Sequence, residues 1–202
     1  MNRHPILASP ATLRVAGVAR CRSRGFTLLE LMVTLAVAAI LVGLAASPMS
    51  QMIASNRVQT EASGFVSDLM FARSEAIKRG QGITVCASSD GSTCSGANTW
   101  QTGWIVISDT TQCSSVPTGT QTPVRVRAKF KGSDTLKAAV PSGSTNSCVS
   151  FNRDGFAVNL GSAKVYFATK TVPAVTSMTR CVSVDLGGRV TTLTNAADSS
   201  CA

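Results

Sequence analysis

The feature that most constrains this chain is an apolar run at residues 26–47, which are 22 residues with a single ionisable group, Glu30. At 1.5 Å per residue a helix of that length extends roughly 33 Å, enough to cross the hydrocarbon core of a bilayer. Residues 1–25 in front of it carry five arginines (Arg3, Arg14, Arg20, Arg22 and Arg24) and no acid. Positive flanks stay on the cytoplasmic side, so the pattern predicts a single-pass segment with the remainder exported. A cleaved secretory signal fits less well, because the run is long for a signal core and Pro48 directly follows the small residues Ala45, Ala46 and Ser47. Removing the basic block leaves 14 basic and 10 acidic side chains in residues 26–202, a net charge of +4 against +9 for the whole chain. So mild an excess does not by itself indicate a nucleic-acid partner.

Glu30 needs its own explanation. A carboxylate inside an apolar helix is costly unless it is paired or lies near the interface. Cutting the Gly25–Phe26 bond would create an amine at Phe26 and make Glu30 the fifth residue of the mature chain. That amine could neutralise Glu30 of a neighbouring helix shifted axially by about one turn. The segment Gly25-Phe26-Thr27-Leu28-x-Glu30, with its apolar continuation, resembles the class III signal of type IV pilins and type II secretion pseudopilins. The resemblance implies cleavage by a prepilin peptidase after Gly25 and N-methylation of Phe26. It also implies anchoring in the bacterial inner membrane, and packing of the helix into a filament of other major and minor pilins or pseudopilins. A leader of 25 residues is long for this family, which leaves the true start of the chain open.

Beyond Pro48 the periodicity stays helical. Val58, Ala62, Phe65, Leu69, Ala72 and Ala76 recur at spacings of 4, 3, 4, 3 and 4. They form one apolar stripe, expected to pack on a sheet, with Gln59, Glu61, Asp68, Arg73 and Lys78 off it. Gly80 is the natural stop, preceded by Lys78 and Arg79 where cations suit the helix dipole. A single helix is therefore predicted from Phe26 to about Arg79, bent or locally unwound at Gly43 and Pro48.

After Gly80 the period switches to two. Strands are predicted at 83–87, 104–108, 124–131, 135–140, 148–152, 163–168, 179–185 and 188–193, separated by turns at Asp90-Gly91, Pro141-Ser-Gly143, Asp154-Gly155 and Gly187-Gly188. The fold class is α+β, a long N-terminal helix packed on a mostly antiparallel sheet. Four segments are expected: a leader (1–25), a transmembrane and filament-core helix (26–47), its amphipathic continuation (48–80) and a β-rich globular domain (81–202).

Cys21 lies in the leader, and six cysteines follow it: Cys86, Cys94, Cys113, Cys148, Cys181 and Cys201. An even number in an exported domain reads as three disulfides, for which 15 pairings exist. Cys86–Cys94 is the best local pair, since Asp90-Gly91 between them can fold a tight loop. Cys181–Cys201 would staple the last strand to the tail, leaving Cys113–Cys148. No Cys-x-x-Cys occurs and the one histidine, His4, lies in the leader, so neither a metal site nor a cofactor is expected.

The motifs Val85-Cys86-x-Ser88-x-Asp90-Gly91-x-x-Cys94, Trp100-x-x-Gly103-Trp104-Ile105-Val106-Ile107-x-Asp109, Phe151-x-x-Asp154-Gly155 and Cys181-Val-Ser-Val-Asp-Leu-Gly187-Gly188-Arg189-Val190 narrow the resemblance. They are similar to the GspH/FimT family of minor pilins and pseudopilins, FimU-like members included. That likeness implies a pilin-like fold whose globular domain is β-sandwich-like, a distinction that periodicity does not make. It also implies a structural subunit in a tip or initiation complex. No catalytic residue is expected. Asp90, Asp154 and Asp185 sit at glycine turns, where aspartate serves turn chemistry, and Trp100 and Trp104 read as core or loop anchors.

One stretch carries a competing function. Residues 124–131 alternate strictly, so a strand there should bury Val124, Val126, Ala128 and Phe130 and align Arg125, Arg127, Lys129 and Lys131 on the other face. Such a row, spanning about 20 Å, could track the phosphates of DNA, or could simply be a solvated or aggregation-resistant edge. Family members implicated in DNA uptake resemble one another in a C-terminal Gly-Arg-x-Arg. The matching positions here are Gly188, Arg189, Val190 and Thr191, so the second arginine is missing.

Overall fold

The structure, a computed structural model, describes residues 25–139, 147–194 and 201, without the side chains of residues 44–48 and 194. The leader up to Arg24, Cys21 included, and the turn expected at 141–143 lie outside the described residues. One helix, α1 (Leu28–Arg79), covers 52 residues and passes from one compact unit into a second, the boundary falling between Ala45 and Ala46. Its assignment is unbroken through Gly43 and Pro48, so the unwound turn expected there does not occur.

In the first unit the described side chains of α1 are exposed, among them Leu28, Met32, Leu35, Ile40 and Val42. Among the described residues no helix is long and apolar enough to cross a membrane, the described apolar stretch ending at Gly43.

In the second unit the stripe does what its spacing demands. Val58, Ala62, Phe65, Leu69, Ala72 and Ala76 are all fully buried. The helix ends at Gly80 in the left-handed region (φ 65°), which lets the Gln81 N–H reach back to the Ala76 carbonyl at 3.3 Å. This is the six-to-one bond of a Schellman cap, and glycine adopts that φ without a Cβ penalty.

Among the described residues nine strands follow: β1 (Ile83–Ala87), β2 (Gly103–Ser108), β3 (Arg125–Ala128), β4 (Thr135–Ala139), β5 (Cys148–Phe151), β6 (Ala157–Val158), β7 (Lys164–Lys170), β8 (Arg180–Asp185) and β9 (Val190–Thr194). They form two antiparallel sheets, ordered β3-β2-β1-β5-β6 and β4-β7-β8-β9. Eight of the nine overlap predicted strands. The two-residue β6 is too short to carry a period. The helix stripe, Val85, Val106 and Val149 of one sheet, and Leu136, Phe167 and Val182 of the other share one hydrophobic core. Phe65 lies at its centre, edge-on to Trp100 (5.2 Å), Trp104 (5.1 Å) and Phe167 (4.9 Å). Such aromatic pairs favour edge-to-face contact, and the two tryptophans are core anchors.

The cysteines pair as Cys86–Cys94, Cys113–Cys148 and Cys181–Cys201. Cys86 and Cys148 are cross-strand partners on β1 and β5, which sets the first two disulfides side by side against Ile105 and Ile107. The third packs on Ala168 and Tyr166.

Candidate assembly site and basic strand

At the N-terminal end Gly25, Phe26, Thr27 and Glu30 line one shallow niche of about 480 Å³. Thr27 caps α1: its hydroxyl accepts the Glu30 N–H at 3.2 Å and its carbonyl accepts the Leu31 N–H at 3.2 Å. Glu30 is therefore the third residue of the first turn, where a negative charge suits the helix dipole. The spacing Thr27-x-x-Glu30 is a capping signature in its own right, and it sits inside the segment that carries the peptidase and methylation motif.

The basic strand differs from the sequence expectation. Its faces are reversed over residues 125–128: Val126 is 51% exposed, Ala128 is exposed, and Arg125 and Arg127 turn toward α1 instead, while Val124 and Phe130 on either side are half-buried, Phe130 against the core. Both meet Asp68, which is fully buried: Arg125 Nη1 lies 2.9 Å from Oδ1 and Arg127 Nε 2.9 Å from Oδ2. The Trp104 indole N–H donates to the same Oδ2 at 3.0 Å. The Arg125 guanidinium also stacks 3.7 Å from the centre of the Phe71 ring. The strand ends at Ala128, so Lys129 and Lys131 do not extend the row. The physical reason is Asp68 itself. A buried carboxylate needs counter-charges, and β3, which among the described residues is an edge strand paired with β2, supplies them by turning its arginines inward.

Asp68 is one of three acids bordering the apolar stripe at seven-residue intervals, with Glu61 and Glu75. Glu75 is nearly buried and meets Lys78 at 3.4 Å and Arg79 at 3.5 Å. Glu61 faces Asp134, which Arg57 holds through Nε at 2.5 Å and Nη2 at 2.8 Å. Glu61 Oε2 is buried without a hydrogen-bond partner, and a proton on that carboxyl would supply one to Asp134. Burial first, then the Asp134 charge and hydrogen bond, push the Glu61 carboxyl up to about 7, against the pull of Arg57. The folded chain thus retains a proton that the unfolded chain releases near 4.5. This contribution to stability is complete below the unfolded value and is lost as the pH rises through about 7. Thermal unfolding from about pH 5 to about pH 8 should therefore show a decline in the wild type that Glu61→Gln flattens. Parallel curves for the two proteins would contradict it.

Asp90, Asp109 and Asp185 do turn work. Asp90 accepts from the Ser92 N–H (2.9 Å), the Thr93 N–H (2.8 Å) and the Thr93 hydroxyl (2.6 Å). Asp185 accepts the Arg189 N–H at 3.0 Å. Asp109 accepts from the Thr111 and Thr84 hydroxyls and from the Thr111 and Cys113 N–H groups; burial opposes its charge, but these bonds, the Thr111 hydroxyl first, hold its carboxyl below the usual range. Among the described residues no three His, Cys, Asp or Glu side chains converge to hold a metal. Arg189 is exposed, and Thr191 is bonded to Ser183 through their hydroxyls at 2.7 Å.

Residues 61–188, more than half of the chain, match the family described as Type II transport protein GspH. The chain belongs to the GspH family. Residues 20–46 match the prokaryotic N-terminal methylation motif. Among solved structures, the type IV minor pilin FimU of Pseudomonas aeruginosa is 23% identical, with a TM-score of 0.52 over 67% of this chain and 87% of that one. A second crystal form of FimU is 21% identical, with a TM-score of 0.51 over 67% of this chain and 91% of that one. The minor pseudopilin EpsH from the type 2 secretion system of Vibrio cholerae is 12% identical, with a TM-score of 0.46 over 68% and 97%. No curated protein matches the chain. The FimU likeness shows the fold, a pilin-like long helix on antiparallel sheets. Family and motif together make this GspH-family chain a minor pilin or pseudopilin of a type IV pilus or a type II secretion system, a structural subunit and not an enzyme. The motif implies a prepilin anchored in the inner membrane with its globular domain in the periplasm.

Proposed function

We propose that the chain, cut after Gly25 and methylated at Phe26, enters the tip or initiation complex of a type IV pilus or type II pseudopilus. In this reading residues 26–47 form the membrane and filament-core helix, residues 48–80 its amphipathic continuation, and residues 81–202 the domain that meets other subunits. Glu30 sets axial register by meeting the Phe26 amine of a neighbour. The carrying observation is Glu30 itself, a lone carboxylate in the first turn of a helix whose neighbouring side chains are apolar and exposed. A helix covered by apolar side chains needs an apolar environment, lipid or other helices. Intact-mass analysis of membrane-extracted protein should give a chain beginning at methylated Phe26, and antibody to the domain should decorate one filament end. An uncut leader, or a start at Pro48, removes the filament reading. Uniform decoration along the filament removes the tip assignment alone.

DNA binding through Arg125, Arg127, Lys129, Lys131 and Arg189 is the weaker second reading. Two of its four strand charges are spent on Asp68, and Thr191 stands where the DNA-binding relatives carry arginine.

A further inference from the structure

Between α1 and the segment leaving β3 lies an open groove of about 500 Å³, within the size range of sites that hold small ligands. Gly64 of α1 and the half-buried Phe130 line its floor, with the nearly buried Trp104 beneath. Lys129 and Lys131 are exposed on its rim and join no ion pair among the described residues. Arg57 and Arg127 also reach the groove, but each is already paired, with Asp134 and Asp68. Glu61 is the sole carboxyl among the groove's lining residues.

We infer that this groove docks an acidic segment of a neighbouring subunit, with carboxylates on Lys129 and Lys131 and an apolar side chain over Phe130. That the partner is a subunit rests on the filament reading above. The acidic chemistry rests on the groove alone. Unpaired cations beside an apolar floor complement a segment that presents both kinds of side chain. Nucleic acid fits less well. Two unpaired cations make too short a row to follow a phosphate backbone, and Trp104, only 1% exposed, offers no ring face for a base to stack on.

Glu61 tunes the groove. The charged and titratable groups around it are Arg57 on its own helix, Asp134 ahead of β4, Arg127 on β3, and Lys129 and Lys131 beyond that strand. When protonated, Glu61 adds no charge to the groove. When ionised, it is a negative charge in the lining and repels the ligand's carboxylates. Docking therefore tightens as the pH falls through the range in which Glu61 gains its proton, while ordinary carboxylates on the ligand stay charged.

The test uses the full-length chain in detergent micelles, with two fluorescent probes of equal net charge. One is a synthetic peptide of Glu, Asp and Leu; the other is a single-stranded oligonucleotide. The peptide should bind the wild type, and more tightly at about pH 6 than at about pH 8. Glu61→Gln should keep binding and lose the pH dependence. The double variant Lys129→Gln/Lys131→Gln, at exposed positions that folding does not depend on, should weaken binding by about fivefold, the scale of two exposed ion pairs. No peptide binding at either pH, an unaffected double variant, or equal or tighter binding of the oligonucleotide overturns the proposal. The same double variant, followed for incorporation into filaments, separates the two readings: a wild-type chain that never enters filaments strikes the filament reading and leaves the peptide result standing.

Discussion

Replacing Asp68 by alanine should lower the stability of the globular unit by about 3 kcal/mol, the low end of the range for breaking a buried pair. The substitution strands three donors at once: the Trp104 indole N–H, Arg125 Nη1 and Arg127 Nε. Trp104 is the most costly of these, because it is buried and no other acceptor is bonded to its N–H, and an unmet buried donor costs about 1–3 kcal/mol. The arginine side chains are 40% and 44% exposed, so they can rotate into water, which keeps the loss from reaching the upper end. For a unit of this size the thermal midpoint should drop by about 10 °C. Asp68→Asn, which keeps one oxygen acceptor but no charge, should fall between wild type and alanine. A shift within a degree or two for Asp68→Ala would mean that the arginines and Trp104 find other partners, and that the carboxylate does not orient β3.

Replacing Glu30 by leucine should have the largest functional effect: loss of incorporation into filaments, with membrane insertion intact. Insertion should not suffer, because an apolar helix partitions into lipid more readily than one bearing an acid. Incorporation should, because the substitution removes the one charge in the apolar segment that can pair with a neighbour's Phe26 amine. The loss of the first-turn charge at Glu30 costs helix stability only about 0.3–1 kcal/mol, too little to explain an assembly defect. Glu30→Gln separates charge from polarity. It keeps a side-chain oxygen at this position and removes the charge, so it should fail in filaments as leucine does. Normal incorporation of either variant would show that register is set elsewhere.

The helix was legible from the sequence because its signals are local and mutually consistent. A stripe at spacings of 3 and 4 defines a buried face whatever it packs against, and Gly80 ends it with a φ that few other residues adopt. Most strands were legible for the same reason, alternation bounded by turn residues. The peptidase and methylation motif around Gly25, Phe26 and Glu30 is likewise a local word, readable without a fold. Glu61 and Asp68 read only as polar residues off the stripe; the seven-residue spacing they share with Glu75 beside it is the sign that they border the core.

The sequence could not decide which face of residues 125–128 turns inward. Alternation defines two faces without ranking them, and apolar residues on one face argue for burying that face. The opposite happened, because the strand lies on the sheet edge beside Asp68, 57 residues away along the chain. A fully buried carboxylate outweighs the cost of exposing Val126 and Ala128. The Arg57–Asp134–Glu61 cluster was hidden for the same reason, since its members come from α1 and from the turn before β4. The chain by itself determined its elements, its apolar stripe and its processing motif, all of which depend on neighbours in sequence. Only the tertiary structure decided which charges are neutralised, because pairing a buried charge depends on what the fold brings within about 3 Å of it.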